Sequence, residues 1–167
     1  TPRTPDPPIS EGGTFVQPDA PELVVENVQN ALAEMNAANY RRSLGDDLDV
    51  EPTASAEARD PSLWSSWSKA EEVSAFTTMA EAARLNTGHV LRLQDASTEV
   101  GDMRYTLDAT YLLIVNHRRP DVPDTLQGRL VWEIEQGADG LWTLTEWTDQ
   151  ELGDSPSWSD LKAAFGK

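Results

Sequence analysis

The chain contains no cysteine, only three lysines (Lys69, Lys162 and Lys167) and only two histidines among its 167 residues. The missing thiol excludes disulfide staples, thiolate metal sites and cysteine nucleophiles together. No run of about 18 apolar residues occurs, so no segment reads as a membrane-spanning helix. Positive charge is scarce: 13 basic residues stand against 29 acidic ones, for a net charge of −16. That balance argues against nucleic acid and anionic lipid as partners, because both attract cations. P-loop, G-x-S-x-G and dinucleotide glycine patterns are also missing, and no cofactor is expected. The length points to one domain, large enough to bury a core.

What is present is acid, spread along the chain at Asp46, Asp47, Asp60, Asp95, Asp121, Asp139 and Asp154 and not gathered into a tail. Scattered acids with few lysines predict a protein kept soluble in concentrated salt, where screening removes self-repulsion. The segment 1–19 is rich in proline and carries the Gly12-Gly13 pair. With few apolar residues to offset its ordering entropy, it is expected to be a flexible linker ahead of a domain spanning 20–167. The absence of a starting Met and of a signal peptide fits a processed or trimmed chain. Such a leader suits a tether in the cell envelope, for instance behind a lipidated cysteine cut away upstream; a cloning boundary with a frayed end fits equally.

Apolar spacing predicts a first helix over 22–44, with Val24, Val28, Ala31, Leu32, Met35 and Asn39 on one stripe and Gly45 as its stop. A short extended piece, 46–52, should follow, then a turn of helix carrying Trp64 and Trp67. Ser68-Lys69-Ala70-Glu71 has the form of a capping box opening a helix to Leu85, with Val73, Phe76, Ala80 and Ala83 inward. From Gly88 the period becomes alternating. Strands are expected over 89–94, 103–115, 126–136 and 141–149, with a hairpin at 137–140. The outer face of 103–115 turns apolar at Leu112 and Ile114, which predicts a cover there, such as a second subunit docked on the sheet. A closing helix should start at Ser157-Trp158-Ser159-Asp160. Helices ahead of a mainly antiparallel meander give an α+β fold, a cone-shaped roll of helices on a curved sheet with a C-terminal helix.

The stretch Tyr40-Arg41-Arg42-Ser43-Leu44-Gly45-Asp46-Asp47-Leu48-Asp49-Val50-Glu51-Pro52, the order of elements, and the tail Gly140-x-Trp142-x-Leu144-x-x-Trp147-x-Asp149 with Ser157-Trp158-Ser159-Asp160-Leu161-Lys162 together resemble the nuclear transport factor 2-like superfamily. That superfamily includes ketosteroid isomerases, scytalone dehydratases and SnoaL-like cyclases, and the tail is similar to that of envelope lipoprotein members. The resemblance implies a pocket at the open end of the cone, used for catalysis by some members and for binding or dimerisation by others. In an isomerase-like site it puts the carboxylate base at Glu51 or Asp49, but Ala31 stands near the place of the tyrosine donor, leaving Tyr105 or Tyr111 as substitutes.

The residues themselves leave alternatives open. Four acids between Asp46 and Glu51 also suit a solvated edge. Glu146 is a third candidate base if strict alternation holds, whereas a bulge near Thr145 turns Trp147 inward and Glu146 out. No metal site is expected. His89 and His117 lie far apart in sequence, and Asp47-x-Asp49-x-Glu51 meets Pro52 where a calcium loop needs glycine. His117-Arg118-Arg119-Pro120 is too short for nucleic acid but suits an acidic partner or a second copy. Of six tryptophans, Trp132, Trp142 and Trp158 fit core positions, while Trp64, Trp67 and Trp147, with Tyr105 and Tyr111, are candidates to line a ligand pocket. The expectation is a non-catalytic envelope domain that binds a small apolar ligand in the cone or a protein partner, with self-association through the sheet. An isomerase- or dehydratase-like enzyme is the alternative. A purely structural interaction module is a third class, and it predicts a cone filled by side chains.

Overall fold

Pro21 supplies the fixed φ of a first helical turn, and a helix follows from it. The structure, a computed structural model, describes residues 13–84 and 88–167. Its elements in chain order are α1 (Pro21–Glu34), α2 (Ala37–Ser43), β1 (Leu44–Glu51), α3 (Ala54–Arg59), α4 (Pro61–Ser65), α5 (Lys69–Ala82), β2 (Val90–Val100), β3 (Arg104–Ile114), β4 (Thr125–Gln136), β5 (Trp142–Glu151) and α6 (Trp158–Gly166). The five strands form one sheet in the order β1-β5-β4-β3-β2, with β1 parallel to β5 and the other pairs antiparallel. This is the expected α+β architecture. Among the described residues no helix is long and apolar enough to cross a membrane.

Several boundaries differ from the sequence expectation for identifiable reasons. The single helix expected over 22–44 breaks at Met35, which adopts a left-handed φ of 51°, and restarts where the Asn36 side chain accepts a hydrogen bond from the Asn39 amide. Gly45 does not stop a helix; it lies in β1, where a Cβ would sit 3.1 Å from Thr143 Oγ1 and 3.2 Å from Thr145 Cγ2. The inward face of α5 is Glu72, Ala75, Phe76 and Met79, with Val73 and Ala80 only half-buried. The helix is thus turned by about one residue from the apolar stripe. β2 runs six residues past Gln94 and is exposed over that extension. Leu112 and Ile114 are half-buried within the single chain.

Residues 1–12 of the expected linker lie outside the described residues. Residues 13–19, also assigned to it, lie against the domain. Asn27, buried on α1, accepts from the Val16 amide at 2.9 Å and donates to the Val16 carbonyl at 2.8 Å. The Trp142 amide donates to Pro18 O, and Thr14 bonds Glu34.

Candidate functional site

The sheet's inner face carries Tyr105, Leu107, Ala109, Tyr111 and Leu113 from β3, and Leu126, Leu130, Trp132 and Ile134 from β4, all buried. In β5 the register slips by one residue opposite Glu133 and Ile134: Ile134 faces Leu144 while Glu133 faces Glu146, so Thr145 is extra. Past this bulge Trp147 and Asp149 point inward and are buried. Glu146 points out with its side chain 45% exposed, 3.4 Å from Arg104, whose guanidinium also lies 3.0 Å from Glu133.

Two capped helices close the cone. Ser68 and Glu71 form the capping box that starts α5, and Ser157 with Asp160 does the same for α6. These starts set the helix phase that faces Glu72 of α5 and Lys162 of α6 towards one another. Lys162 Nζ sits 3.1 Å from Glu72 Oε1, with both side chains almost wholly buried, and 3.3 Å from the ring centroid of Trp147. Glu72 also accepts from the Tyr40 hydroxyl at 2.6 Å and the Trp67 indole N–H at 2.9 Å. On the sheet side, Asp149 accepts from the Tyr111 hydroxyl at 2.8 Å, the Ser159 amide at 2.9 Å and the Ser159 hydroxyl at 2.6 Å. Tyr111 Oη in turn accepts from the Trp158 amide at 2.8 Å. The Trp158 ring fills the centre, edge-on to Trp147 at 4.4 Å and to Tyr111 at 5.6 Å.

Burying an ion is costly unless it is paired and hydrogen-bonded, and this cluster meets both conditions. Burial pulls the Lys162 ammonium down from its usual range, while the charges of Glu72 and Asp149 act to keep it protonated. Burial raises the Asp149 carboxyl, opposed by its hydrogen bonds from Ser159 and Tyr111. The Tyr40 and Tyr111 hydroxyls are pushed well up, chiefly by burial, so both remain donors. All of these groups are already engaged within the chain. The space between α2, α5 and α6, lined by Tyr40, Glu72, Phe76, Trp158, Lys162 and Phe165, amounts to about 10 Å³, at the lower limit for one water molecule.

The candidate bases lie elsewhere. Asp49 and Glu51 are exposed on β1, and with Glu146 on the outer face none of the three reaches the interior. Of the pocket candidates, Trp67, Tyr111 and Trp147 converge around Glu72, Lys162 and Asp149. Trp64 packs on Trp67 with ring centroids 4.6 Å apart, and Tyr105 is buried at the far end of β3. They line a filled core and not a ligand-sized cavity. The indole N–H groups of Trp64, Trp132 and Trp147 have no hydrogen-bond partner there.

Sequence reasoning missed Glu72, Lys162, Asp149 and Tyr40. One signal was available: Lys162 falls at the i+4 position from Trp158 and three before Phe165, within the apolar stripe of its own helix. Among the described residues no group of three or more His, Asp or Glu converges as a metal would require. A large open groove, about 1070 Å³, runs outside the cone between Phe15, Arg42, Leu141 and Trp142, where the Arg42 guanidinium lies 3.8 Å over the Phe15 ring.

The sequence matches no family model and no curated protein. Solved structures do match. A candidate scytalone dehydratase from Novosphingobium aromaticivorans aligns with a TM-score of 0.60 at 10% identity, over 82% of this chain and 89% of that one. A nuclear transport factor 2-like protein from Cytophaga hutchinsonii gives 0.57 at 11%, over 77% and 93%. A protein of unknown function with a cystatin-like fold from Nostoc punctiforme gives 0.53 at 12%, over 80% and 89%. These neighbours span an enzyme class and proteins without assigned chemistry, so the likeness carries no activity. At such identities it establishes architecture: the chain has the nuclear transport factor 2-like, cystatin-like α+β fold.

Proposed function

We propose that this protein is a non-catalytic binding module of the cell envelope whose partner is a protein met on its outer surface. One observation carries the reading: the cone interior, where a fold of this kind would seat a small molecule, is occupied by Trp158, Lys162 and Phe165 of its own C-terminal helix and retains about 10 Å³. Among the described residues the space left there is too small for an apolar ligand, and Asp49, Glu51 and Glu146 stand at the solvent-facing surface. Titration with an apolar fluorophore such as anilinonaphthalene sulfonate, read through tryptophan quenching, should give no saturable binding at neutral pH. Stoichiometric binding that quenches the central tryptophans would overturn the reading and return the cone to ligand duty.

Self-association through the outer sheet face is part of this proposal. Among the described residues no helix packs on that face, and Leu112, Ile114 and Val131 lie half-buried on it. Sedimentation at molar salt should give a dimer; a monomer at high concentration would leave only an unlike protein as partner. Envelope location draws support from the proline-rich composition of 1–12, and fractionation of the producing cells tests it. The charge of −16 supports adaptation to concentrated salt, and equal thermal stability at low and molar salt would count against it.

A further inference from the structure

The chain's only two histidines lie at one junction, where α5 ends, β2 begins and the loop after β3 turns back. His89 Nδ1 accepts the Asn116 amide at 3.1 Å while Nε2 faces the Arg84 carbonyl at 2.8 Å. His117 repeats the arrangement: Nδ1 accepts the Arg119 amide at 3.1 Å and Nε2 faces the Pro123 carbonyl at 3.2 Å. A backbone N–H can only donate and a carbonyl can only accept. Both rings are therefore fixed as the neutral imidazole with its proton on Nε2. They are 6% and 9% exposed.

The loop these rings hold is tied to two helices. Arg118 N donates to Ala82 O and Arg84 N to Asn116 O, joining it to the end of α5, and Ala83 pairs with His117. Towards α6, the His117 ring meets Phe165 edge-on at 5.4 Å. The Arg119 guanidinium covers the other part of Phe165 at 4.6 Å and donates to Ala164 O at 2.9 Å. Phe165 lines the small space beside Glu72 and Lys162.

We propose that His89 and His117 form an acid-opened clasp that holds the loop 116–124 on α5 and on the C-terminal end of α6. Imidazole is the side chain whose charge changes between pH 5 and 8. Protonation places an N–H at Nδ1, directly against the amide that donates to it, and converts two attractive contacts into donor-against-donor contacts. The charged groups on the elements packed here are Glu81 near the end of α5 and Arg84 just after it, Arg92 on the first half of β2, Arg118, Arg119, Asp121 and Asp124 on the loop, and Asp160 and Lys162 on α6 with Lys167 following it. Among the described residues no carboxylate bonds the His117 ring, and Arg118 and Arg119 follow it directly in the chain. Opening releases Arg119 and His117 from Phe165 and so uncovers the filled cone from its α6 end.

Amide hydrogen exchange on the whole chain, at about pH 7.5 and about pH 5 and constant salt, tests this. After correction for intrinsic rates, protection at Asn116 and Arg119 should fall about tenfold, roughly the effect of losing one hydrogen bond, while Leu107 and Leu130 in the sheet keep theirs. Imidazole nitrogen shifts should show the Nε2-protonated tautomer of both rings at the higher pH. The double replacement His89→Asn and His117→Asn retains an acceptor near the Nδ1 position without a titrating ring, and should remove the pH dependence. Unchanged protection at the lower pH overturns the clasp. So do a fall spread evenly over the sheet and an unaltered pH dependence in the double variant. If the variant does not fold, the wild-type shifts and local protection decide alone.

Discussion

The two faces of the sheet carry the same kind of chemistry in opposite settings. On the inner face Glu72, Lys162 and Asp149 sit among tryptophans with every charge buried and bonded. On the outer face Arg129 clasps Asp108 through two contacts of 2.7 Å, and Arg104 bridges Glu133 and Glu146 in partial contact with solvent. The outer pairs have the better fork geometry and the inner cluster has the greater consequence. Water already solvates the outer charges when a pair separates, whereas an inner charge left alone has nothing to replace its partner. Geometry alone is therefore a poor guide to which ion pair matters.

That contrast can be broken by mutation, most forcefully at Lys162. Lys162→Met strands the Glu72 carboxylate and should cost about 3–5 kcal/mol in urea unfolding. Adding Glu72→Gln, which preserves acceptors for Tyr40 and Trp67, should recover part of that loss. If both changes cost the same as the single one, the pair is not what stabilises this region. Asp149→Asn comes next, at roughly 1–3 kcal/mol, because it weakens three converging hydrogen bonds. Asp108→Asn on the outer face should leave the urea midpoint within the scatter of repeat melts at molar salt, and Glu146→Gln should do less still.

The pH dependence of two of these variants sharpens the comparison further. Burial raises the Asp149 carboxyl in the folded state. Its contribution is thus fullest below the unfolded value of about 3.9 and declines as pH rises through the folded one. Asp108 is held below the usual carboxylate range, first by its hydrogen bonds from Arg129. Its contribution is present above about 3.9 and is lost on acidification. Urea melts at pH 3.5 and 7 in low salt, where the outer pair is not screened, should therefore show the loss from Asp149→Asn growing in acid and that from Asp108→Asn shrinking. Parallel slopes would mean that the two faces do not differ in solvation as described.

Much of the fold was legible because periodicity reports burial directly. The alternation of Tyr105, Leu107, Ala109, Tyr111 and Leu113 specified β3 and its inner face, and the two capping boxes marked the starts of α5 and α6. The helix break at Met35 was not legible, since no glycine or proline announces it and the left-handed turn is held by contacts after folding. The interior cluster was hidden for a related reason. Apolar patterning assigns charged residues to the surface, so Glu72 shifted the inferred face of α5 towards Val73, and Lys162 went unremarked amid an apolar stripe. Each is tolerated at its buried position because the other is opposite it, and that pairing is a property of two helices 90 residues apart in the chain. Glu51, Asp49 and Glu146 stood out in sequence as acids beside an implied pocket, but a pocket is empty space, which residue patterns do not encode.

Thr145 shows how little material such a decision needs. Strand side chains alternate between two sides, so one supernumerary residue acts as a change of parity for all that follow it. Were Thr145 paired in regular alternation instead of bulged, Glu146 and Thr148 would take the inward places and Trp147 and Asp149 would turn to water, with no side chain chemically altered. The identity of the cone's floor is thus decided by pairing: whether the neighbouring strand counts Thr145 or passes over it.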